Sequence, residues 1–238
     1  MAFITILLSF HTGFVMPQLS LAEISQQLDS ENSRDRMIAL ANLRDYNAEE
    51  SMPLIKKVLD DDVLQIRSMA VFALGVKQTN ESYGLLIKLL ETDKDYGIRA
   101  DAAGALGYLE DERALQPLLR AFYEDTSWLV RFSAAVSLGN LGKPEAKDAL
   151  LQALNSEEVV IQQAAIAALG EIGAVDTVDK LLAFASSDNW LIKRRLAEAL
   201  GNLPCEKSLA ALKFMAKDDH PQIRAAAEYG LKQLKSAE

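Results

Sequence analysis

Apolar and polar residues follow one another along this chain with the 3.6-residue rhythm of amphipathic helices, and the rhythm itself recurs. The segments IRSMAVFALG (66–75), IRADAAGALG (98–107), VRFSAAVSLG (130–139), IQQAAIAALG (161–170) and IKRRLAEALG (192–201) align without a gap, as do the less regular DRMIALANLR (35–44) and IRAAAEYGLK (223–232). Successive copies lie 31 or 32 residues apart. A period in that range predicts one helix–turn–helix unit per copy, stacked end to end with a continuous core between neighbours.

Each copy is written in the same grammar. Its second position is Arg36, Arg67, Arg99, Arg131, Gln162, Lys193 or Arg224, and a Leu follows seven residues later (Leu43, Leu74, Leu106, Leu138, Leu169, Leu200, Leu231). The residues one before, three after and seven after that position fall on one helical face and are apolar in nearly every copy. The three-after residue is small (Ala39, Ala70, Ala102, Ala134, Ala165, Ala227; Leu196 is the exception), which lets a neighbouring helix come close. Gly75, Gly107, Gly139, Gly170 and Gly201 stand where C-capping glycines would end these helices. A partner helix precedes each one, marked by Leu54, Leu86, Leu118, Leu150, Leu181 and Leu212, with Val58, Leu90, Phe122, Leu154, Ala185 and Ala216 four residues on. Helices this short owe their stability to burial against adjacent copies. The predicted fold is therefore all-α: a right-handed α-solenoid of about seven helix pairs, forming a single repeat domain over residues 18–238.

An acidic residue precedes most second helices, at Asp61, Asp93, Asp125, Glu157, Asp188 and Asp219, five or six residues ahead of the basic column. Such carboxylates are expected to cap helix N-termini and to bridge to the basic side chain of a neighbouring repeat. Gln162 interrupts the ladder, marking either a bend or a site.

Residues 1–17 stand apart. The run AFITILLSFHTGFVM (2–16) is uncharged and mostly apolar, too short for a confident span, and lacks the basic n-region of a secretory signal. Three readings stay open: a start at Met16, a leader or membrane-surface segment, or a helix packed on the first repeat.

Composition narrows the function classes. The 25 Lys and Arg against 34 Asp and Glu give a net charge of −9, which repels a phosphate backbone, so nucleic acid is not an expected partner. The single cysteine, Cys205, makes no internal disulfide, which suits a reducing, cytoplasmic setting, and it has no neighbouring base or ligand in sequence. With only His11 and His220, a metal centre built from several imidazoles is not expected.

The repeat unit and the extent of the match, residues 31–236, resemble the phycobilisome lyase HEAT-like repeat family, whose unit reads V-R-x-x-A-A-x-A-L-G followed by a Leu-rich helix. That resemblance implies a HEAT-repeat scaffold that binds a phycobiliprotein, with a second lyase-like subunit as a further partner, and that assists attachment or detachment of a bilin. The bilin would be a transferred ligand and not a resident cofactor. Deoxyhypusine hydroxylases of similar repeats need paired His-Glu motifs, which this chain lacks. HEAT-like DNA glycosylases need a basic groove, and here only Lys193, Arg194 and Arg195 cluster. A bilin needs an aromatic or apolar cleft and cations for its propionates. Tyr96, Trp128 and Trp190 share one repeat position, three residues before the basic column, and Phe132 and Tyr123 extend the patch, with Arg99, Arg131, Lys193, Arg194 and Arg195 in phase to meet carboxylates. The bland alternative is that the two tryptophans fill gaps at the ends of adjacent helices. A generic adaptor without ligand chemistry is the competing function.

Overall fold

A computed structural model describes residues 19–236, so the apolar run at 1–17 lies outside the described residues. Among the described residues every α-helix belongs to one of seven antiparallel pairs. In chain order these are α1 (Leu21–Leu28) with α2 (Ser33–Asn42), α3 (Ala48–Lys56) with α4 (Leu64–Lys77), α5 (Asn80–Thr92) with α6 (Tyr96–Tyr108), and α7 (Leu115–Glu124) with α8 (Trp128–Asn140). Then follow α9 (Lys147–Ala153) with α10 (Val159–Glu171), α11 (Val178–Leu182) with α12 (Trp190–Gly201), and α13 (Glu206–Met215) with α14 (Pro221–Ser236). The chain is an α-solenoid, and its even-numbered helices are the ten-residue segments in which the repeat is most legible.

The core runs unbroken from Ile24 to Leu234 between the two layers of helices. The small column is fully buried, with Ala39, Ala70, Ala102, Ala134, Ala165 and Ala227 all at 0% exposure. In the odd layer Leu86, Leu118, Leu150, Leu181 and Leu212 are buried as expected, but in α3 the position belongs to Ile55, one residue beyond the half-buried Leu54. Leu231 of the last described pair is only half-buried.

The repeat glycines do a different job from the one expected of them. All five lie inside the last turn of an even helix and none has a positive φ. A Cβ at Gly107 would fall 2.8 Å from the Cβ of Ser137, and one at Gly170 only 2.7 Å from the Cα of Ala199. These glycines let each even helix press its backbone against the next. The capping position lies three residues later, at Gln78, Glu110, Gly142 and Gly173, with φ of 40°, 52°, 62° and 69°. Only two of the four use the residue that reaches this region without a Cβ penalty.

Even helices pack on one another much more closely than odd ones do. A layer with shorter spacing bends the stack toward itself, so the even helices form the inner face. The odd layer is joined instead by exposed ion pairs, such as Lys56 with Glu81 at 2.6 Å, Arg120 with Glu91 at 3.1 Å and Lys147 with Asp176 at 2.9 Å. Each such pair contributes only about 0–1 kcal/mol, so stability comes mainly from the apolar inner contacts.

Candidate functional site

The basic column closes the turn in front of its own helix. Arg67 donates to the Asp61 carbonyl at 2.8 Å, Arg99 to that of Asp93 at 2.9 Å, Arg131 to that of Asp125 at 3.0 Å and Arg224 to that of Asp218 at 2.8 Å, always six residues back. Gln162 makes the same bond to the Ser156 carbonyl at 2.8 Å, so the uncharged residue interrupts nothing in this contact. The residue six back also turns the loop, its side chain accepting from the N–H two residues on: Asp61 from Val63, Asp93 from Asp95, Asp125 from Ser127, Ser156 from Glu158, Ser187 from Asn189 and Asp218 from His220. The expected acids Glu157, Asp188 and Asp219 are thus one residue past the working position, which is serine in two of these repeats. The ladder turns loops and does not cap the even helices, whose side-chain caps come from Asn32, Asp95 and Asn189.

The bridge to the next repeat forms where that position is acidic and within reach. Arg36 grips Asp61 at 2.7 and 2.8 Å, Arg99 grips Asp125 at 2.7 and 3.0 Å, and Lys193 meets Asp218 at 3.0 Å. Burial works against ionisation of Asp125, but the Arg99 guanidinium and the Ser127 N–H outweigh it and hold the carboxyl below its ordinary range. Arg131 faces Ser156 in the next repeat and makes no ion pair among the described residues.

The predicted aromatics share a rim, where Tyr96, Trp128 and Trp190 are the first residues of α6, α8 and α12. Leu64 and Val159 open α4 and α10 in the same row, so the rim is apolar from one repeat to the next. Tyr96 and Trp128 stand on adjacent helices, 57% and 46% exposed. Trp190 is two repeats beyond Trp128, half-buried and stacked on His220 with ring centroids 4.5 Å apart. Phe132 is half-buried against the core, and Tyr123 meets Phe122 edge-on. Arg194 and Arg195 both bind Glu198, each at 2.8 Å. Four of the five predicted cations therefore already have a carboxylate partner, and among the described residues Arg131 is the one without.

A second feature escaped the sequence. The inner face of α2, α4, α6 and α8 carries a groove of about 620 Å³, walled by Phe72, Val76 and Tyr108 and floored by Gly104. Phe72 and Tyr108 are each 61% exposed. Within the groove the Ser68 hydroxyl donates to Asp101 at 2.5 Å. Burial pushes the Asp101 carboxyl up, with Ser68 acting against the shift and the charge of Asp95 adding to it. The groove is made of positions at which the repeats differ, such as the column Phe72, Gly104, Val136, Ala167, Glu198, Tyr229, whereas motif reading follows the positions at which they agree.

Cys205 precedes α13, where its sulfur accepts from the Ser208 N–H at 3.4 Å. Among the described residues no three His, Cys, Asp or Glu side chains converge as ligands for a metal ion, and no helix is long and apolar enough to cross a membrane.

In comparisons with solved structures, the backbone is similar to the complex of CpcE and CpcF of phycocyanin lyase from Nostoc sp. PCC7120, with a TM-score of 0.60, 22% identity, and coverage of 95% of this chain and 81% of that one. It is similar to Kap95p bound to RanGDP with the same TM-score, 14% identity, and coverage of 91% and 35%. Human deoxyhypusine hydroxylase gives a TM-score of 0.44 at 21% identity, over 91% and 96% of the two chains. Identities this low speak for the fold alone. No curated protein matches the sequence. HEAT repeats match residues 84–160 and 148–232, more than half of the chain, and the chain belongs to the HEAT-repeat family.

Proposed function

We propose that this protein is a protein-binding scaffold that holds a phycobiliprotein against its inner face and assists attachment or detachment of that protein's bilin. The observation that carries the scaffold reading is the inner groove, where large apolar side chains stand open to solvent on the face that the curvature turns inward. Exposed apolar surface gathered in one concave place marks a binding surface. The bilin part rests on the resemblance of the repeats and is supported by the shared backbone of the two-subunit phycocyanin lyase, which also suggests a second subunit here. Under this reading the chain contributes positioning, since the acceptor thiol belongs to the substrate protein. Tyr96 and Trp128 offer aromatic faces to the tetrapyrrole, and Arg131 offers the cation for a propionate.

The commitment of Arg99, Lys193, Arg194 and Arg195 to carboxylates of the chain itself favours a second reading, an adaptor with no ligand chemistry. Incubation with chromophorylated phycobiliprotein, followed by gel filtration and absorbance spectra, separates the two. Co-elution with a change in the bilin spectrum that Trp128→Ala and Arg131→Gln both diminish is the expected result. Co-elution with an unchanged spectrum supports the adaptor, and no co-elution rejects the phycobiliprotein as partner.

A further inference from the structure

The face of α6 inside the groove carries Asp101, Gly104 and Tyr108 at i, i+3 and i+7, which sets them in one row. On α4 Phe72 occupies the column of Gly104, and on α8 Val136 does; both are exposed. A Cβ added at Gly104 would meet nothing within 4 Å, so the missing side chain leaves an open slot between two apolar ridges. Packed helices lie about 8–10 Å apart, which puts the ridges about 16–20 Å from each other across α6. A helix with its side chains measures about 10–12 Å and fits between them.

Charge decides what kind of helix. Three charged residues line the groove: Arg44 pairs with Asp45 and Lys77 donates to the Arg44 carbonyl at 3.2 Å, which leaves Asp101 as the charge on the α6 face of the trough. Asp101 is half-buried, bonds to the neutral Ser68 hydroxyl, and makes no ion pair among the described residues. In this it differs from Asp61, Asp125 and Asp218, each of which holds a cation. Covering Asp101 with an apolar surface would bury an unpaired charge, so the occupant has to bring a cation of its own. On a helix aligned with α6, residues three or four apart match the spacing of Asp101 and Gly104.

We propose that the trough over α6 seats an amphipathic helix of a protein partner, which presents a Lys or Arg to Asp101 and a large apolar side chain, three or four residues away, to the slot over Gly104. The inference rests on the scaffold reading and names the chemistry of the partner.

The test uses the full chain and two fluorescein-labelled amphipathic peptides of about five turns, alike in their leucine stripe and differing only in Lys or Glu beside it, with binding read by fluorescence anisotropy. The Lys peptide binds the wild-type protein more tightly than the Glu peptide. Asp101→Asn lowers its affinity about tenfold, Asp101→Lys reverses the preference, and Gly104→Leu lowers affinity for both peptides. Phe72→Ala, at an exposed position that the fold does not need, does the same, while circular dichroism confirms that every variant keeps its helical content. Equal binding of the two peptides, or binding indifferent to Asp101 and Gly104, overturns the proposal. So does a change in the mass of the protein in solution on Gly104→Leu with peptide binding intact, because a second copy would then fill the trough. If a phycobiliprotein co-elutes with wild type and with these variants alike, the groove inference fails and the scaffold reading stands; if neither it nor any peptide binds, the scaffold reading fails with it.

Discussion

Arg99 and Arg131 occupy the same column of the repeat, and only one of them is tied to the next repeat. Both clamp the carbonyl six residues back, a contact that Gln162 shows a neutral amide can make equally well. Arg99 adds a bidentate bridge to Asp125, in which the two side chains are 17% and 11% exposed, whereas Arg131 looks toward a serine. Arg99→Gln should therefore cost about 2 kcal/mol, the value of a charged hydrogen-bonded pair out of water. Arg131→Gln should cost less than about 0.5 kcal/mol. Urea denaturation of the two variants against wild type measures the difference. Because Arg99 and Ser127 hold the Asp125 carboxyl below its ordinary range, the bridge contributes in full above the unfolded carboxyl value of about 3.9 and is lost as pH falls through the lower folded value. The Arg99→Gln penalty should shrink below about pH 4 and stay constant from there to neutrality. The period was legible at this scale and the register of the acids was not. Acidic residues sit at both the fifth and sixth positions before the basic column, as in Asp61-Asp62 and Asp218-Asp219, and spacing alone does not say which of the two the backbone uses.

Glycine shows how one residue type takes three roles in one kind of helix. Gly170 lies where α10 meets the backbone of α12, and a methyl group there would fall 2.7 Å from the Cα of Ala199, which cannot swing aside. Gly104 sits inside α6 with open space above it, and Gly142 and Gly173 take up the left-handed turns after α8 and α10. The same substitution should then have opposite signs. Gly104→Ala gains helix propensity and raises stability by up to about 1 kcal/mol, and Gly170→Ala pushes two helices apart at a cost of about 2 kcal/mol. Thermal denaturation of both variants checks this, and equal effects would contradict the close approach. The sequence showed five glycines in phase at helix ends, which is what a cap looks like. That they lie within the last turn, pressed against the neighbouring helix, follows from how closely the next repeat packs, a fact no single repeat contains.

Across the whole molecule each repeat rests only on its neighbours, so stability is a sum of units and interfaces. Excising residues 159–189, one period from the start of α10 to just before α12, joins equivalent positions and removes one unit and one interface. The shortened chain should remain helical, unfold at lower urea concentration with a smaller m value, and still bind the cationic peptide, because the groove lies on α2 to α8. Loss of all helical signal would mean that the array does not tolerate a missing unit.

The sequence by itself determined the period, the seven helix pairs, the buried columns and the shared rim position of Tyr96, Trp128 and Trp190, since all of these repeat and repetition is visible in one dimension. Tertiary structure alone decided which glycines are contacts, which arginines reach a carboxylate, and that Phe72, Asp101, Gly104 and Tyr108 line one trough. Those outcomes depend on the distance and curvature between successive repeats. That geometry arises only when the units stack, and the residues it brings together are the ones that depart from the pattern.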